Sequence, residues 1–163
     1  MDTLTHEKQK STICIATTIK TLDVREVWEC AVSWSWLLSF VKENEAKLKN
    51  LSTQDVVDQI VKPATLLNKS RYVDLIPKDC VSLPTYFASH VWIAPFLDIV
   101  ESLREHIGDN ARDDVFVWID IFAVNQHRDS GTQESDLKGL NTAVEKSRKT
   151  IVCIDANAKL LTR

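Results

Sequence analysis

Ser89, His90 and Trp92 close the stretch Thr85–Trp92, TYFASHVW, and Asp120, Phe122, Asn125, Gln126 and His127 lie in the stretch Val115–His127, VFVWIDIFAVNQH. Hydroxyl, imidazole, carboxylate, amide and ring groups in two short segments suit recognition of a polar, ring-bearing ligand. Each residue alone is equally readable as a loop residue or a helix cap, so the weight rests on their convergence. A nucleophile–base pair is not among the options. Ser89 and His90 are neighbours on an extended strand, and their side chains point to opposite faces. His90, His106 and His127 lack metal-ligand spacing, Cys153 sits inside an apolar run, and neither a GxGxxG nor a Walker phrase occurs. No residue reads as catalytic, and no metal site is expected.

The elements that must position these groups form a strand–helix–strand–helix–strand series. Thr85–Ala88 is β-branched, aromatic or small, which suits a buried strand beginning after Pro84. A helix is predicted over Pro95–Ile107, with Phe96, Val100, Leu103 and Ile107 on one side and Gly108 as its stop. Val115–Phe122 is apolar on both faces, as a central parallel strand must be, with Asp120 near its carboxyl end. A weaker helix carries Leu137, Leu140 and Val144, interrupted by Gly139, and Thr150–Asp155 is the third strand. Right-handed crossovers then give a parallel sheet whose carboxyl ends share one edge. Ser89, His90, Asp120 and Asp155 are expected along it, with Asp120 capping the loop that follows.

Before this unit, Asp23 is expected to cap a helix reaching about Lys49, with Trp28, Trp34 and Trp36 supplying buried area. Ser52 or Thr53 opens a second helix that Pro63 ends within a residue or two, and residues 64–84 read as a connector. Ile13–Ile19 has strand composition. The organisation expected is a helical extension over residues 1–80, packed on the sheet, and an α/β unit over 81–163.

The net charge of −3, with no basic stripe, argues against a nucleic-acid surface. The four cysteines are far apart and form no CxxC, which argues against a zinc module or a disulfide framework. The longest apolar run, Trp28–Val41, is broken by Glu29 and three serines and is too short to span a bilayer. With no secretory leader at Met1, a cytoplasmic location is expected.

TYFASHVW, FLDIVESLREHI, VFVWIDIFAVNQH and LNTAVEKSRKTIVCID together resemble the first half of a Toll/interleukin-1 receptor (TIR) domain. The pattern is most similar to a divergent TIR-like branch with SHxW and WxDIFxxNQH phrases. In that branch a segment matched here by Pro63, Thr65, Tyr72, Asp74 and Leu75 precedes the domain. The resemblance covers roughly residues 52–156. It implies a flavodoxin-like fold with strand order starting 2-1-3, and either assembly with other TIR-like chains or cleavage of NAD at the nicotinamide–ribose bond. Ser89, His90 and Trp92 match the loop lining the family's nucleotide crevice, and Asn125 to Gln133 match its contact loop. The family's catalytic Glu lies in a W-C-x-x-E phrase after the third strand. The sequence ends at Arg163 before such a phrase, and Glu134 and Glu145 precede that strand. The expectation is therefore an interaction or signalling module, catalytically incomplete as given, with NAD as a ligand or substrate. The alternative is a portion of an NAD-cleaving hydrolase. An uncharged edge at Ile151–Ile154 predicts self-association.

Overall fold

Short β-branched and aromatic runs, each flanked by turn residues, pair into one five-stranded sheet: β1 (Ala31–Ser33), β2 (Val81–Ser82), β3 (Tyr86–Ser89), β4 (Phe116–Trp118) and β5 (Lys149–Val152). The spatial order is β2-β1-β4-β3-β5. This is a computed structural model, and it describes residues 25–109, 111 and 114–153. β3 is parallel to β4 on one side and to β5 on the other, whereas β1 runs antiparallel to both β4 and β2. The sheet is therefore mixed, and the purely parallel sheet expected from the sequence is corrected. The architecture is α/β.

The correction originates in the segment read as one helix to Lys49. Ala31, Val32 and Ser33 are all buried and form the strand that extends the sheet past β4. The Trp34 amide continues the pairing by donating to the Val115 carbonyl at 2.9 Å. Ser33 then turns the chain, its hydroxyl accepting from the Trp36 amide, so α1 spans only Trp34–Glu43. A helical periodicity in Trp28, Leu38 and Val41 concealed three residues that gain more from completing a sheet than from continuing a helix. Asp23 lies outside the described residues, as do Ile13–Ile19, Ile154 and Asp155.

After α2 (Glu45–Leu48), Ser52 caps α3 (Thr53–Val56), with a reciprocal bond from its own amide to Asp55. A π-helical turn, Val57–Val61, joins α3 to α4 (Lys62–Thr65). That wider turn sits where the ring of Pro63 would press on the preceding turn, so the proline is carried and the helix ends two residues later. α5 (Phe96–Ile107) follows the expected pattern, burying Phe96, Ile99, Val100 and Leu103, and stops at Gly108 with φ +83°. Val115–Phe122 is not one strand. β4 ends at Trp118, and Asp120–Ala123 turns into a short helix, α6. No described helix is long and apolar enough to cross a membrane.

The tryptophans are core and seams. Trp118 stacks on Phe87 at 4.9 Å, and its indole N–H donates to the Val27 carbonyl at 2.8 Å. The Trp34 indole donates to the Gly108 carbonyl at 3.0 Å. Trp36 belongs to an aromatic cluster with Phe40, Tyr72, Phe96 and Phe122, in which edge-to-face pairs predominate.

α7 (Gln133–Lys138) and α8 (Leu140–Lys146) are broken apart at Gly139. A Cβ on Gly139 would lie 2.3 Å from Cγ1 of Val27, a stiff side chain only 3% exposed. Gly139→Ala should therefore lose about 1–3 kcal/mol in urea unfolding, the usual cost of overpacking. Adding Val27→Ala should recover part of that loss. An unchanged midpoint for Gly139→Ala would show that this contact does not constrain the fold.

Candidate functional site

β3 and β4 are parallel neighbours in the register Phe87↔Trp118, so the residues just past their carboxyl ends emerge at one sheet edge. There His90 leaves β3 and Asp120 opens α6. Nε2 of His90 lies 3.3 Å from Oδ1 of Asp120, with the imidazole side chain 3% and the carboxylate 24% exposed. The contact is close enough for charge attraction but is not aligned as a hydrogen bond, and neither atom has another partner. Nδ1 of His90 lies 3.3 Å from the Ala88 carbonyl oxygen. Trp92 completes the group, its indole N–H donating to Oδ2 of Asp120 at 2.9 Å. Burial disfavours the imidazolium, but the Asp120 carboxylate, helped by the Ala88 carbonyl, outweighs it and raises the His90 pKa above the ordinary imidazole value. Asp120 thus serves His90 and Trp92 through its side chain, not the backbone of the following loop as the sequence suggested.

The remaining residues singled out from sequence go elsewhere. Ser89 ends β3, and its carbonyl accepts from the Cys153 amide at 2.8 Å. Phe122 is fully buried in the aromatic cluster. Asn125 clamps its own loop: its amide group donates to the Lys69 carbonyl and the Thr132 hydroxyl, and its Oδ1 accepts from the His127 backbone. Gln126 donates to the carbonyls of Asp120 and Val124. Nε2 of His127 is 2.8 Å from the Thr65 hydroxyl, at a buried contact. Of the eight residues, the structure brings His90, Trp92 and Asp120 together. Phe122, Asn125, Gln126 and His127 fasten the loop behind them.

Sequence reasoning passed over a second polar centre. Asp136 of α7 is 1% exposed and accepts from Nε of Arg71 at 3.0 Å, from Nη2 of Arg71, and from the backbone N–H of Asn125 at 2.9 Å. Nη1 of Arg71 also donates to the Arg25 carbonyl at 2.6 Å, and Arg25 reaches the carbonyls of Lys78 and Val81. Burial works against the Arg71 charge, and Asp136 more than offsets it. Burial also pushes the Cys30 thiol beside Arg71 up to about 11, against the opposing pull of the guanidinium, so it stays protonated. No local pattern announces such a pair, because 65 positions separate its members. The one available hint was Tyr72, next to Arg71 in the segment that carried the resemblance.

Two surface depressions lie away from the His90 edge. One, of about 320 Å³, has Trp28, Arg71, Asp136 and Gly139 in its wall. The other, of about 350 Å³, runs between α1 and α5 over Leu38, Val41, Leu97 and Val100. Among the described residues no cluster of three or more His, Cys, Asp or Glu side chains is placed to hold a metal ion. In comparisons with known proteins, no family model, curated protein or solved structure matches the chain.

Asp136→Ala would strand the Arg71 charge in the interior, a change that typically costs about 3–5 kcal/mol. The variant should unfold at markedly lower urea concentration than the parent. A loss below about 1 kcal/mol would mean that water reaches Arg71 freely.

Proposed function

We propose that this chain is a TIR-like interaction and signalling module that acts by contact with other TIR-like chains or with a second copy of itself. The observation that carries the reading is the edge strand β5. It pairs with β3 on one side, and no described strand lies on the other. Past Lys149 the strand is uncharged, and Val152 is 63% exposed. Such an edge recruits a further strand unless something blunts it. The parallel order β4-β3-β5 is in keeping with a flavodoxin-like core starting 2-1-3. Thr65 packs on His127 and Tyr72 on Phe122, so the two phrases that resemble the TIR-like branch meet in the fold.

The second reading, a portion of an NAD-cleaving hydrolase, draws on His90, Trp92 and Asp120 at the edge where an open α/β sheet receives a nucleotide. The way Asp120 is used counts against it. Cleavage of a nicotinamide–ribose bond builds positive charge on the sugar, and a carboxylate must face that carbon to stabilise it. Both oxygens of Asp120 are instead directed at Trp92 and His90.

Light scattering across a concentration series should show self-association of the chain. Val152→Lys, a change at an exposed position, should shift the distribution to monomer without altering the unfolding midpoint. A parent chain that stays monomeric at every concentration would sink the proposed interface. Incubation with NAD should release nicotinamide only at the background rate. Robust turnover abolished by Asp120→Asn would select the hydrolase reading instead.

A further inference from the structure

We propose that His90 is a protonation-controlled latch on the loop joining β3 to α5, holding residues 90–95 shut while its ring is charged and releasing them when the proton leaves.

The ring sits between two acceptors. Nδ1 faces the Ala88 carbonyl oxygen and Nε2 faces Oδ1 of Asp120, each at 3.3 Å. A neutral imidazole carries one N–H, so either tautomer turns a bare nitrogen towards an oxygen. The imidazolium alone offers a donor to both. With the side chain 3% exposed, water is poorly placed to fill the missing role. Asp120 is the charged group that acts on the ring. Asp55 of α3 accepts from the hydroxyl and amide of Ser52, and burial pushes the Cys153 thiol up to about 11.

The same carboxylate reaches the loop a second time through Trp92. The loop's carbonyls in turn occupy the first amides of α3: Gln54 N–H donates to the Trp92 carbonyl at 2.9 Å, and Thr53 N–H to the Ala94 carbonyl at 3.0 Å. Val91 is 46% and Ile93 84% exposed, so the apolar hold on the loop comes from Ala94 and from Trp92 packed on the core. When the ring loses its proton, one nitrogen is left bare towards an oxygen and the charge attraction to Asp120 is lost, so the loop and the α3 amides it occupies loosen together. The folded-state value lies above the ordinary 6.5, so the latch is fully set below that pH. It weakens as the pH rises through the raised value. This device stands apart from the β5 interface and does not depend on it.

The test uses the full chain with no ligand. Nitrogen-15 spectra of the histidine rings follow His90 from acidic to alkaline pH, and amide exchange follows Thr53 and Gln54, corrected for intrinsic rates. Both ring nitrogens should be protonated below the ordinary value of 6.5, and the His90 midpoint should lie above it. Protection of the two amides should fall with the His90 midpoint, about tenfold for each unit by which that midpoint exceeds the ordinary value. Titration of His90 at or below the ordinary value, or protection that stays constant through its titration, would overturn the latch. Asp120→Asn should bring the His90 midpoint down and remove the pH dependence of protection. A His90 value still raised in that variant would overturn the part assigned to Asp120. If the variant does not fold, the parent titration decides alone.

Discussion

A carboxylate buried to 1% exposure must be met by donors, and the donors that Asp136 finds determine how distant parts of this chain come together. Arg71 approaches from the connector, and the Asn125 amide from the loop after α6. Arg71 also fixes the Arg25 carbonyl, and the Arg25 side chain fixes the turn leading into β2. Four stretches that share no secondary-structure pairing at this point are thereby placed by one charge. The geometry is satisfied on every side, as a buried ion pair requires if it is not to cost more than it returns.

The His90–Asp120 pair is built differently. It is as close as many ion pairs, yet its atoms are misaligned and lack other partners. Around Asp136 three donors converge on one carboxylate. Around His90 two acceptors converge on one ring. The first arrangement holds at any pH at which the carboxylate is ionised, whereas the second is satisfied in one protonation state only. Asp120 and Asp136 flank the loop after α6, and Asn125, Gln126 and His127 fasten that loop between them.

The antiparallel strand and the aromatic cluster are joined through α1. Trp36 and Phe40 reach Phe122 and Phe96 only if α1 lies over the face bearing α5 and α6. Three residues of extended chain before α1, laid antiparallel along β4, deliver it there. Trp118 in β4 donates to Val27 and so joins the turn before β1 to the sheet that β1 completes.

The strands after Pro84, the helix Phe96–Ile107 with its stop at Gly108, and the α/β alternation were legible in the sequence. Each depends on local signals: β-branched runs, a 3.6-residue apolar period, proline and glycine at the boundaries. The gathering of His90, Trp92 and Asp120 at one edge was legible for the same reason, since the parallel strands carry their carboxyl ends to one side. The antiparallel strand Ala31–Ser33 was not, because its helical period and its strand pairing compete and only a partner at β4 decides between them. Nor was the conversion of Asp120–Ala123 from strand to helix, nor the spending of Asn125, Gln126 and His127 on neighbouring carbonyls, amides and hydroxyls. The Arg71–Asp136 pair was invisible for a simpler reason. Its partners are 65 positions apart, and the burial that makes them pair exists only after the chain has folded.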